Sequence, residues 1–148
     1  MQLVYPVHLS PYVQEIAHRH LDGLDNVLLV KPLGVTDMHN LLARSYMVMT
    51  DSGGLQEEAP ALGKPVLVLR RETERPEAVE AGTVRVIGTE REVIIAEAEE
   101  LLTGGERYQS MAHAVNPYGD GFACRRIVDD LLYFLGERET PAEDFSAR

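Results

Sequence analysis

"MTDSGGLQEEAPALGKPVLVLR", residues 49–70, reads as a strand, a tight turn, a helix and a second strand. Apolar and β-branched residues fill Met47–Thr50 and again Pro65–Leu69, and Asp51-Ser52-Gly53-Gly54 breaks the first run before a helix-compatible stretch begins. Two strands joined by a helix of this length pair in parallel, because a crossover returns the chain to the same end of the sheet. Pro60 deprives the Gln56 carbonyl of its partner four residues on, so the crossover helix should be short or kinked there.

The same alternation runs outward in both directions. Further strands are expected near Gln2–Tyr5, Asn26–Val30 and Thr83–Ile87, making five in all. Ser10-Pro11 opens a helix near 11–21 that Gly23 stops. Met38, Leu41, Leu42 and Ser45 keep helical spacing behind Thr36 or Asp37, and Ile94, Ala98 and Leu101 do the same over 90–102. A last helix from about Phe122 to Leu135 carries Cys124, Ile127, Val128, Leu131 and Leu135 on one stripe, which makes Cys124 a core residue, and Gly136 ends it. The fold class that follows is α/β, a doubly wound, Rossmann-like parallel sheet. One domain over residues 1–137 and a fraying polar tail over 138–148 are expected.

Composition narrows the function. The chain has 148 residues, 14 basic against 24 acidic side chains and a net charge of −10. Such a field repels nucleic acid and anionic membrane surfaces, so neither is an expected partner. Its apolar runs are too short to span a bilayer and no basic segment followed by an apolar stretch opens it, which points to the cytoplasm. The single cysteine cannot form an internal disulfide. Neither His18, His20, His39 nor His113 stands at metal-ligand spacing, and no metal is expected.

An anionic ligand can still be held by local geometry. The turn Ser52-Gly53-Gly54 lies where open parallel sheets bind ligands, beyond the carboxyl end of a strand. Glycines let a phosphate approach the backbone, and the free N–H groups opening a helix favour negative charge. A tight turn with Ser52 as an ordinary N-cap explains the same residues. At about 100° per residue, Leu55, Ala59 and Leu62 share a stripe, Glu58 borders it and Glu57 points to solvent. Glu58 could then accept from two vicinal ribose hydroxyls, or simply sit favourably near a helix start. In "RRETERPEA", residues 70–78, Pro76 suits a first helical position but Arg75 is a poor cap. A guanidinium there fits a diphosphate, and equally a surface pair with Glu72 or Glu74.

The ordered set "YPVH" at 5–8, "MTDSGGLQEEAPALGKPVLVLRRETERPEAVEAGTVRVIGT" at 49–89 and "NPYGDG" at 116–121 makes the chain resemble, over about residues 2–136, the carboxyl-terminal half of bacterial non-hydrolysing UDP-N-acetylglucosamine 2-epimerases. The resemblance implies the second domain of a glycosyltransferase-B-type fold. It implies an enzyme that interconverts UDP-N-acetylglucosamine and its manno epimer by eliminating and re-adding UDP, without a cofactor. By the same resemblance, Leu33 and Met38 hold the base, Ser52, Gly53 and Gly54 the diphosphate, Glu58 the ribose and Arg75 a phosphate. His8 matches a histidine that regulated members place near an activating second ligand, although a histidine after a strand more often completes a local hydrogen-bond network.

Departures from the family pattern define what else is expected. Met38 stands where an aromatic residue commonly meets uracil, so a thioether contact replaces stacking. The family's acid and base carboxylates lie in the amino-terminal domain, and no catalytic residue is assigned here. The expected partners are therefore UDP-N-acetylglucosamine or UDP and an amino-terminal catalytic half, with a homodimer left open. The segment carrying the domain's first strand also has no counterpart here, so "LVYPV" must pair directly with "YMVMT", leave a gap or borrow a strand. Asn116–Gly121 is expected to turn with Gly119 and Gly121 at positive φ and Asp120 capping the last helix. The donor-binding half of a nucleotide-sugar glycosyltransferase, or a truncated binding module, are the alternatives.

Overall fold

Valine-rich runs three or four residues long form the strands of this protein, and three of the helices start at Pro11, at the Ser52-Gly53 turn and at Pro76. A computed structural model describes residues 1–145. In chain order the elements are β1 (Leu3–Pro6), α1 (Pro11–Leu21), β2 (Val27–Val30), α2 (Val35–Arg44), β3 (Val48–Thr50) and α3 (Gly53–Ala61), followed by β4 (Val66–Val68), α4 (Pro76–Glu80), β5 (Val84–Val86), α5 (Arg91–Leu102), α6 (Glu106–Ala112) and α7 (Ala123–Phe134). All five strands expected from the sequence are present, each within a residue or two of its expected bounds, and every pairing among them is parallel. The architecture is α/β.

The chain divides into two compact units, Met1–Leu41 and a second from Leu42 on. In the first, β1 pairs with β2 in the register Leu3↔Val27 to Pro6↔Val30. Val7 and Ala17 are its buried apolar side chains. In the second, the strand order is β3-β4-β5, with Val48 opposite Val66 and Val66 opposite Val84. Each unit thus has its own parallel sheet, of two strands in the first and three in the second.

β4 has a neighbour on each edge, and Val66, Leu67 and Val68 are all fully buried. Such a strand is covered on both faces, which is why its sequence is continuously apolar rather than alternating. Leu67, Ile87, Leu101 and Met111 form the core of the second unit, with Ile94, Ala98 and Tyr108 packed against it. The stripe expected on α5 therefore faces the sheet. The Tyr46 and Tyr108 rings stack with centroids 4.3 Å apart, and the Tyr108 hydroxyl donates to the Tyr46 carbonyl at 3.1 Å.

The stripe on α7 requires a correction. None of its residues is buried; Cys124 is exposed, and Ile127, Val128 and Leu131 are each more than half exposed. The helical periodicity is real, but no described element covers the face it creates, so Cys124 is not a core residue. Gly119 and Gly121 do take positive φ, 135° and 85°; the N-cap of α7 is Phe122 rather than Asp120, whose Oδ1 accepts from the Phe122 N–H at 3.0 Å. Residues 138–145 are tied to α7 by an Arg138–Asp129 ion pair and by the Ala142 N–H donating to Asp130 at 2.8 Å. The rest of the expected tail, residues 146–148, lies outside the described residues.

Candidate functional site

Ser52 occupies the N-cap of α3 with φ −78° and ψ 130°, yet its hydroxyl makes no capping hydrogen bond. The ordinary N-cap reading of this serine is thus realised in the backbone and not in the side chain. The Ser52 N–H donates instead to Thr50 Oγ1 at 3.0 Å, which fixes the turn out of β3. The N–H groups of the first turn of α3 have no acceptor within the helix, so its start presents donors and a partial positive charge.

What braces this turn is Gln56, a residue to which the sequence pattern assigned no role. Its side chain is fully buried, and its Nε2 donates to the Ser52 carbonyl at 3.3 Å. Its Oε1 accepts from Thr73 Oγ1 at 2.5 Å, and Thr73 Oγ1 accepts from the Arg75 N–H at 3.0 Å. One buried amide thus connects the Ser52 turn to the loop that carries Arg75. The buried stripe of α3 is Gln56, Ala59 and Pro60, whereas Leu62 is 40% exposed. The helix is rotated from the face that hydrophobicity alone selects, because a paired amide can be buried without loss.

That rotation reassigns the two glutamates. Glu57, expected to point to solvent, forms an ion pair with Arg75 Nε. The hydrogen bond that Arg75 donates to the Glu57 carboxylate raises the pKa of Arg75 above its usual value. Glu58 is exposed, with Oε1 3.6 Å from where a Cβ on Gly54 would stand. The surface pair anticipated for Arg75 exists, but its acid is Glu57, not Glu72 or Glu74. Tyr118, in the "NPYGDG" turn, lies close enough to feel the charges of Glu77, Glu57 and Arg75, and burial pushes its phenol up. On the Glu57–Glu58 side of α3 an open cavity of about 580 Å³ is lined by both glutamates, Tyr118, Asp120, Cys124 and Arg126.

The second unit therefore brings together Ser52, Gly53, Gly54, Glu58 and Arg75 around the start of α3 and the loop after β4. Leu33 and Met38 belong to the first unit, where both are half-buried near the start of α2. The Met38 N–H donates to the Gly34 carbonyl at 2.9 Å. His8, also in that unit, accepts the Ser10 N–H on Nδ1 at 3.1 Å, and its carbonyl accepts from Gln14 Nε2 at 2.9 Å. The ring thus completes a local network at the entry to α1. Among the described residues no three His, Cys, Asp or Glu side chains converge as metal ligands would, and no helix is long and apolar enough to cross a membrane.

Comparison with known proteins identifies relatives of this arrangement. The profile of the family described as UDP-N-acetylglucosamine 2-epimerase matches residues 1–132. A UDP-N-acetylglucosamine 2-epimerase of Bacillus subtilis is 54% identical over 148 residues, which is 100% of this chain and 39% of the relative. An S. aureus protein solved with UDP superposes with a TM-score of 0.91 at 50% identity, covering 98% of this chain and 40% of that one. A Neisseria meningitidis UDP-GlcNAc 2-epimerase bound to UDP-GlcNAc superposes with a TM-score of 0.82 at 46% identity, covering 90% and 36%. The chain thus spans about two fifths of the length of the relatives it matches, and it shares with them the Rossmann-like second domain of a glycosyltransferase-B-type fold.

Proposed function

Since the chain belongs to the UDP-N-acetylglucosamine 2-epimerase family, we propose that it is the UDP-binding half of such an enzyme, acting in the interconversion of UDP-N-acetylglucosamine and UDP-N-acetylmannosamine. The observation that carries this reading is the buried Gln56 brace, which holds the Ser52 turn and the Arg75 loop in fixed relation. Two anion-binding elements set at a constant separation suit a diphosphate, which has one phosphoryl group for each.

In this reading the Ser52–Gly54 turn receives one phosphate at the start of α3, Arg75 receives phosphate oxygen from the loop, and Glu58 accepts from the ribose hydroxyls. Leu33 and Met38 contribute an apolar surface for the base. The reaction breaks the bond between C1 and the UDP oxygen, and UDP departs with the electron pair while a base removes the C2 proton. Re-addition of UDP to the resulting glycal, with a proton delivered to the other face of C2, gives the epimer. This chain's groups stabilise the charge that develops on UDP as the bond breaks. The acid and base at the sugar belong to an amino-terminal half, the partner that completes the enzyme. An exposed, unpaired Cys124 fits the reducing cytoplasm as the place of action.

Thermal denaturation with UDP and with uridine tests the binding reading. UDP should raise the melting temperature and uridine should raise it less, because only UDP uses the start of α3 and Arg75. Equal shifts would remove the diphosphate assignment. Incubating the chain alone with UDP-N-acetylglucosamine in D₂O should give no deuterium at C2, whereas incorporation above a heat-killed control would show that this half has its own acid–base groups.

A further inference from the structure

Gly53, the first residue of α3, has no Cβ, and the space this opens is already filled. A Cβ on residue 53 would stand 2.5 Å from Oε1 of Glu74. Glu74 lies in the loop after β4, its carboxylate accepting from Arg70 Nη1 at 2.6 Å. Its own N–H, Arg70 and Arg75 together hold the carboxyl below its usual pKa. An anionic oxygen therefore sits over the residue that opens α3, supplied by the protein itself.

We propose that Glu74 is a specificity-determining residue whose carboxylate occupies the diphosphate seat over Gly53 in the free protein, and that UDP binds by displacing it and taking over Arg70. The proposal rests on the UDP-binding reading and adds to it a reason for selecting a diphosphate. A carboxylate and a phosphoryl group use the same donors, so they compete for one seat. A ligand that brings two phosphoryl groups can outcompete a single carboxylate, whereas an uncharged nucleoside has nothing with which to displace it. The displacement is inexpensive because the atom over Gly53 is the far end of a flexible and exposed side chain.

Calorimetric titration of the 148-residue chain with UDP, uridine and inorganic pyrophosphate tests this in wild type, E74Q and E72Q. Glu72 is exposed on the same loop, so E72Q removes one negative charge without touching Gly53. E74Q should bind UDP and pyrophosphate about tenfold more tightly than wild type, with uridine unchanged and E72Q within about twofold of wild type. The proposal is overturned if E74Q leaves UDP affinity unchanged or lowers it, since Glu74 would then not compete. An equal gain in E72Q overturns it too, by assigning the effect to the overall acidic field. If neither wild type nor E74Q binds UDP, the UDP-binding reading and this proposal both fall, whereas wild-type binding without a gain in E74Q removes only the proposal. Circular dichroism of each variant establishes that a loss of affinity is not a loss of fold.

Discussion

Thr73 donates its hydroxyl hydrogen to the buried Oε1 of Gln56 at 2.5 Å, across seventeen positions of sequence. This hydrogen bond and the Gln56–Ser52 contact are the internal fastening of the candidate site. Gln56→Leu keeps the volume and removes both polar contacts, leaving the Ser52 carbonyl and the Thr73 hydroxyl without their present partner. A loss of about 2 kcal/mol in unfolding free energy is expected. UDP affinity should fall with it, because the turn and the Arg75 loop lose their common anchor. Chemical denaturation and titration of the same preparation measure the two effects.

Arg75 supplies a planar fork that lysine cannot reproduce. Arg75→Lys keeps the charge, yet UDP affinity should drop about tenfold while uridine affinity stays constant. An unchanged dissociation constant for UDP would leave Arg75 as the partner of Glu57 and nothing more.

The rotation of α3 gives Glu57 and Glu58 different expected signatures. Glu58→Gln should weaken UDP about fivefold and 2′-deoxy-UDP less, since the deoxy ligand lacks one of the hydroxyls at stake. Glu57→Gln alters the partner of Arg75 and should change both ligands by the same factor. Titration of the four combinations separates a ribose contact from a phosphate-side effect.

Most of the framework was legible because it depends on local rules. Valine runs marked the strands, Pro11 and Gly23 bracketed α1, and the glycines at 119 and 121 marked a turn requiring positive φ. The orientation of α3 was not legible, because hydrophobicity ranks Leu55 and Leu62 above Gln56. Only the long-range partner at Thr73 makes burying the amide favourable. The stripe on α7 failed for the opposite reason, since periodicity shows that a face exists without showing what covers it. α6 escaped notice because seven residues give barely two turns of pattern, and its anchor, Met111, is one side chain. Of the site, the ion pair between Glu57 and Arg75 was not anticipated, because it joins segments eighteen positions apart. Charge pairs between distant segments leave no spacing to read.

Asp120 predicts a pH dependence. It receives two hydrogen bonds from the Arg126 guanidinium, at 2.8 and 2.7 Å, and one from the Phe122 N–H. The Arg126 contact first, and the backbone bond second, hold its carboxyl far below the usual range. A carboxyl whose folded pKa is depressed stabilises the fold above its unfolded pKa, and that contribution is lost as pH falls through the interval below. Melting temperature should therefore decline from about pH 4 downward, and Asp120→Asn should show a shallower decline there because its side chain does not titrate. Parallel melting curves for the two proteins across acid pH read the difference.

Among the described residues β3 is bonded to β4 alone, while β4 is bonded on both sides. In a parallel ladder successive residues turn their N–H groups to opposite edges. The Val48 N–H is engaged with the Pro65 carbonyl at 2.9 Å, whereas Met49 directs its N–H to the edge that β4 does not occupy. Amide hydrogen exchange should consequently alternate along β3, fast at Met49 between slow Val48 and Thr50, and be uniformly slow along β4. Any strand that came to lie on that edge would erase the alternation, so the exchange rate of a single amide, Met49, reports whether the sheet has been extended.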